Sequence, residues 1–250
     1  MMERRKFIGG CFCCGLAAAA PRAIAAPASA PPLSVEPFAE NVWLHTTWKL
    51  LESGTPFSSN GLLVKGAREA LLIDTTWPVE EMPALLDRAG AFTAPLPLKL
   101  VCTHAHSDRM SGVEIARSRG ISSLAHHLTQ EDAPKRDLPL VDETWSGESK
   151  EIDLGGRKIE LFYPGPAHTR DNTVAFIADQ GLLFGGCMFR TASGGLGNIA
   201  DADLSAYAGS VGKVIGRYGE RVKLVVPGHG SPGGAELLQH TLDVAAAAGH

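Results

Sequence analysis

Four times along this chain a short apolar run, of the kind that forms a buried strand, leads within a few residues to a histidine or a cysteine. Leu98 to Thr103 runs directly into His104-Ala-His106-Ser-Asp108-Arg109. Leu161-Phe-Tyr-Pro-Gly-Pro-Ala leads to His168, Leu182-Leu-Phe-Gly-Gly to Cys187, and Leu224-Val-Val-Pro-Gly to His229. Such spacing constrains the fold strongly. Loops fixed at strand ends are where a sheet can converge polar side chains on one cleft, and the intervening glycines let backbone approach closely. All-helical and coiled-coil architectures are excluded.

The rest of the chain fills in a mixed pattern. Val42 to Thr46, Leu62 to Lys65 and Ala70 to Asp74 read as strands of a meander, with Thr47 to Ser59 as an unusually apolar loop. Pro78, Glu80 and Glu81 suit the start of a helix reaching Ala89, and Ser111-Gly-Val-Glu114 has capping-box spacing for a second helix that Gly120 closes. Strands follow at Lys150 to Leu154, Arg157 to Tyr163, Thr173 to Ala178, Leu182 to Gly185 and Lys223 to Val226, with helices at Leu204 to Tyr218 and Glu236 to Ala247. Strands and helices thus alternate through two similar halves with no linker between them. The expectation is one α/β domain over residues 35–250, two packed sheets with helices outside, after a Pro/Ala-rich linker at 26–34.

Residues 1–25 stand apart as an export signal. Arg4, Arg5 and Lys6 precede an uncharged run from Phe7 to Ala20, and Ala23-Ile24-Ala25 offers a cleavage site. The run is shorter than the roughly 20 residues that span a bilayer. Arg4-Arg5 followed by Phe7 and Ile8 resembles the twin-arginine export pattern, with general secretion as the alternative route, and either places the mature protein in the periplasm. Removing the signal takes four basic residues from 23 and one acidic residue from 27, leaving 19 and 26, a net charge of −7. That excludes nucleic acid as a partner, and no basic amphipathic helix asks for a membrane surface. The expected partner is a small molecule and the expected state a monomer. Of the five cysteines, only Cys102 and Cys187 remain in the mature chain.

A domain of this length should bury roughly 70% of its unfolded surface or more, enough for a core without a metal staple, so a bound metal would serve chemistry. Alternation along an extended segment would set His104, His106 and Asp108 on one side. Four histidines, one aspartate and one cysteine exceed what a single tetrahedral zinc takes from protein. Two zinc ions per chain fit better: three neutral imidazoles match a catalytic site with an open position, while Asp, Cys and His make a softer second site.

These residues resemble a known family. His104 to Arg109 (HAHSDR), His168 in PAHTRDN, Cys187 in FGGCMF, Leu196-Gly-Asn198 leading into DADLSAY, and Pro227 to Gly230 (PGHG) look like a class B metallo-β-lactamase of the first subclass. The similarity runs in order from about Val42 to the last helix. It implies a four-layer αββα sandwich. It also implies one zinc on His104, His106 and His168, another on Asp108, Cys187 and His229, and hydrolysis of the β-lactam amide of antibiotics by hydroxide generated at the metal. Asp108 would orient that nucleophile and accept a proton. Arg190 would hold the drug's carboxylate and Asn198 would polarise the lactam carbonyl. The family's mobile flap would correspond to the apolar loop, with Trp48 and Phe57 over the substrate. Asp74 resembles a position that orients the site from behind, and Arg109 would balance the Asp/Cys charge. The remaining histidines, His45, His126, His127, His240 and His250, read as structural or surface, and Cys102 as a buried apolar residue.

Other readings share the fold. A thioesterase or lactonase, or a periplasmic zinc-binding protein without turnover, would present similar loops. Family relatives of the thioesterase kind follow HxHxD with a further histidine, where this chain has Arg109, and use an aspartate in place of Cys187. No GxSxG motif suggests a serine nucleophile.

Overall fold

In the computed structural model, which describes residues 29–249, the strand-forming segments pair into two sheets. The first has seven strands in chain order: β1 Ser34–Ala39, β2 Val42–Leu50, β3 Pro56–Lys65, β4 Ala70–Ile73, β5 Leu98–Cys102, β6 Ser123–His126 and β7 Glu143–Trp145. The second comprises β8 Ser149–Asp153, β9 Lys158–Phe162, β10 Val174–Ile177, β11 Leu182–Gly186 and β12 Leu224–Pro227, in the order β12-β11-β10-β9-β8. Helices α1 Met82–Thr93, α2 Ser107–Met110, α3 Val113–Ser118 and α4 His127–Asp132 belong to the first half, and α5 Leu204–Tyr218 and α6 Glu236–Ala248 to the second.

Strand alternation explains the layering. Odd and even side chains leave a strand on opposite faces, so a run apolar at every position must be covered on both. Leu71, Ile73 and Val101 of the first sheet meet Leu161, Ile177 and Phe184 of the second in a core between the sheets. The alternate residues Leu72, Leu100 and Cys102 pack outward against Met82, Leu85 and Ala89 of α1. On the other side Phe176, Leu183 and Val225 pack against Tyr207, Val211 and Val214 of α5 and Leu237 of α6. Three apolar cores between four layers make the expected αββα sandwich.

Several local expectations change. The segment Thr47 to Ser59 is not a loop: β2 and β3 pair through Thr47 with Ser59, Trp48 with Ser58, Lys49 with Phe57 and Leu50 with Pro56. Only residues 51–55 form the hairpin tip. Ser53, Gly54 and Pro56 mark that tip alone, and β pairing overrides them elsewhere. The proposed capping box at Ser111 does not form, because Ser111 Oγ donates instead to the carbonyl of Ser107 within α2 (2.6 Å). Strands β1, β6 and β7 and helix α4 are additions, and β1 begins at Ser34, with Leu33 already buried. The export signal at 1–25 and the first part of the 26–34 linker lie outside the described residues. No helix among those described is long and apolar enough to cross a membrane.

Candidate active site

One edge of the sandwich gathers all six donor residues. His104 and His106 follow β5, His168 lies between β9 and β10, Cys187 follows β11 directly and His229 follows β12. The extended alternation expected for Asp108 does not hold. His106 is the last extended residue, and the chain turns into α2 at Ser107, so Asp108 sits in a helical first turn. That turn sends Asp108 away from the two histidines to a different group.

Two triads result, each with its donor atoms within 4.8 Å of one another: His104, His106 and His168, then Asp108, Cys187 and His229. In the first, His106 Nδ1 lies 3.2 Å from His104 Nε2 and 3.3 Å from His168 Nε2. Nitrogens placed tetrahedrally about 2.0 Å from zinc stand about 3.3 Å apart, so the triad has the edges of a zinc tetrahedron. In the second, His229 Nε2 is 3.2 Å from both Cys187 Sγ and Asp108 Oδ2, and Sγ is 3.7 Å from that oxygen. These spacings also suit one ion with a longer bond to sulfur. The donor chemistry and the geometry both fit two metal ions.

Arg109 is fully buried behind the second triad. Its guanidinium donates to Cys187 Sγ (3.0 Å), the carbonyls of Gly228 (3.0 Å) and Asn60 (2.6 Å), and Asp74 Oδ2 (3.2 Å), and lies 2.8 Å from Asp108 Oδ2. The guanidinium thus stands within contact of both anionic donors. Burial works against the charges of Asp108 and Cys187, but Arg109 and His229 outweigh it, holding Asp108 at about 2 and the Cys187 thiol well below its ordinary value. Gly228 is required for this packing, since a Cβ there would lie 2.7 Å from Cys187 Sγ and 2.8 Å from the guanidinium. Asp74 is fully buried, and its carboxylate accepts from Thr103 N (2.8 Å) and Thr103 Oγ1 (2.9 Å), fixing the residue before His104.

Both triads open on a cleft of about 760 Å³, whose lining includes Phe57, Trp77, Arg190, Asn198 and Asp201. Arg190 is 7% exposed, and among the described residues no side chain or carbonyl accepts from its guanidinium. Gly197 passes over it so closely that a Cβ would stand 2.8 Å from the guanidinium. Phe57 packs on the His229 ring at 4.9 Å. Trp48 does not line the cleft: it pairs across from Ser58, one register step from Phe57, so pleating turns it to the opposite face.

Some site residues were not anticipated from sequence. Trp77 packs 5.7 Å from the His229 ring, Asp201 Oδ2 lies 2.9 Å from His106 Nε2, and Arg136 holds the other oxygen of Asp201 at 3.0 Å. Ser58 accepts from His229 Nδ1 through its carbonyl (2.6 Å), which leaves Nε2 facing the triad. Trp77 follows the strand end that carries Asp74, which was the available signal. Asp201 stands in a loop and Arg136 at the end of a one-turn 3-10 helix, neither with a distinguishing sequence pattern.

The sequence matches the metallo-β-lactamase superfamily over residues 54–229. The chain belongs to that superfamily. Its metallo-β-lactamase relatives include a type 2 enzyme of Bacillus cereus, 36% identical over 85% of this chain and 82% of the relative, and one of Pseudomonas aeruginosa, 33% identical over 94% and 90%. Among solved structures, a metallo-β-lactamase from Pontibacter korlensis superposes with a TM-score of 0.81 at 35% identity, over 86% of this chain and 99% of that one. The metallo-β-lactamase FIM-1 from Pseudomonas aeruginosa, in its mono-zinc form, gives 0.81 at 32% identity over 90% and 99%.

Proposed function

We propose that this chain is an exported, monomeric β-lactamase that opens the lactam C–N bond with two zinc ions, one on each triad. The observation that carries the reading is the convergence of both metal-sized triads on one cleft that also holds a buried guanidinium without an acceptor. His104, His106 and His168 would hold a zinc with an open position, which would supply Lewis acidity to activate water near neutral pH. Asp108, kept ionised by Arg109, faces the cleft and can orient the attacking water and take up its proton. Arg190 would take the carboxylate that β-lactam drugs carry beside the ring, a charge-assisted bidentate contact. Asn198 uses its Oδ1 to cap Ala200 N (3.1 Å), which leaves its amide NH₂ to donate to the lactam oxygen. Phe57 and Trp77 offer apolar surface to the drug's side groups. The residues need not form a covalent intermediate.

Nitrocefin turnover by zinc-loaded protein tests this. Hydrolysis is expected to disappear with EDTA and return with zinc, while the far-UV circular dichroism persists, because three apolar cores hold the fold without metal. Turnover of thioesters or lactones with nitrocefin left intact would assign a different hydrolase. Covalent labelling of a serine by substrate would refute the mechanism.

A further inference from the structure

Asp171, between His168 and β10, is 1% exposed. Its Oδ2 accepts from the backbone N–H of Ala105 (2.8 Å), the residue between His104 and His106, and its Oδ1 has no hydrogen-bond partner. The adjacent Arg170 turns the other way, to Glu131 Oε2 (2.8 Å) and to Asp132 at 3.0 and 2.9 Å. Asn172 spends its side chain on Thr169 N (2.7 Å) and the Gly165 carbonyl (2.9 Å). His126, the imidazole on the far side that also feels this carboxylate, is driven toward neutrality mainly by its burial. Among the described residues no ion pair includes Asp171.

An unpaired buried carboxylate is costly, and proteins rarely retain one without a compensating charge nearby. On the other side of the Ala105 turn stand three imidazoles that bind a metal in their neutral form, so that triad contributes no negative charge of its own. The other acid beside it, Asp201, is already paired with Arg136 and is partly exposed.

We infer that Asp171 is the outer charge partner of the three-histidine site: its carboxylate holds the Ala105 turn between two ligands and supplies the negative charge that a dication there compensates. This rests on the reading of the three histidines as a metal site. Asp171 is a positioning residue, with no contact to the cleft. Its two contributions separate by substitution. Asp171→Asn keeps an oxygen to accept from Ala105 N–H and removes the charge, whereas Asp171→Ala removes both.

The experiment is a cobalt(II) titration of the apo full-length mature protein, wild type and both variants, with apo melting temperatures alongside. Cobalt at either site gives d–d bands, whereas the sulfur-to-cobalt charge-transfer band follows Cys187 alone, so the d–d change that does not track that band follows the histidine site. The expected result for Asp171→Asn is an affinity at least tenfold weaker in the d–d titration, a charge-transfer titration changed far less, and an apo protein melting at or above the wild-type temperature. Asp171→Ala is expected to lose affinity and to melt lower. Wild-type cobalt affinity in Asp171→Asn would overturn the charge role and leave Asp171 as a loop clamp, and apo destabilisation of Asp171→Asn by several degrees would overturn it equally. A wild-type protein that takes no cobalt at the histidines would instead remove the metal-site reading, and this inference with it.

Discussion

Beneath Asp108 and Cys187 lies a guanidinium; beneath the three histidines lies a carboxylate. The two triads are thus complemented by buried charges of opposite sign. The charged donors need a cation to exist at all in a dry interior, while the neutral donors are backed by an anion. The difference in wiring follows. Arg109 touches five groups, four of them on other segments of the chain, and is an organising centre of the fold, whereas Asp171 touches one backbone N–H. One triad should therefore be coupled to stability and the other mainly to metal.

The sharpest way to break that contrast is Arg109→Ala. It strands the charges of Asp74, Asp108 and Cys187 in the interior, for which a loss of about 3–5 kcal/mol is expected, or roughly 6–20 °C in melting temperature. A loss below about 1 kcal/mol would mean that the guanidinium is not an organising centre. Cys187→Ser comes next. Serine is rarely ionised and harder than a thiolate, so the second triad should lose its metal far more than the first, and a titration showing two full-affinity ions would remove Cys187 as a ligand.

The other buried guanidinium, Arg190, sharpens the comparison because among the described residues it has no acceptor. Arg190→Ala should raise KM for carboxylate-bearing drugs more than it lowers kcat, costing roughly tenfold to a hundredfold in kcat/KM, with stability little changed. An unchanged KM would place the carboxylate elsewhere. The smallest effect is expected at the hairpin. Phe57→Ala should weaken bulky substrates by about 1 kcal/mol or less while sparing small ones, and Trp48→Ala should leave kinetics alone. Equal effects of both on KM would contradict the facing that the β2–β3 register imposes.

What the sequence discloses and what it hides follow the same physical line. The six donors were legible because His and Cys were each placed after an apolar strand through Gly or Pro, and few other roles need that arrangement. Helices α5 and α6 were legible to within a residue, since a 3.6 period over a dozen residues admits one reading. The HxHxD spacing marks Asp108 as a candidate donor, but its helical turn is not legible, because a four-residue helix leaves no periodicity to detect. Asp171 and Asp201 are single charged residues in loops and Arg136 ends a one-turn 3-10 helix; such residues usually face water, and only tertiary placement reveals what they touch. β7, three residues long, exists through pairing with β6 and carries no pattern of its own.

The β2–β3 hairpin has one further consequence. Its base is fastened to the metal edge: Asn60 donates to the carbonyls of Pro227 (2.9 Å) and Gly230 (2.7 Å), and Ser58 receives His229. Its tip, residues 51–55, is exposed. Lengthening a loop costs only about 0.6 kcal/mol for each doubling, so the tip can gain or lose residues without disturbing the anchored end. The hairpin thus separates two kinds of heritable change. Leu51 of that tip borders the cleft, so drift at the tip can reshape the cleft mouth while the base keeps His229 in register.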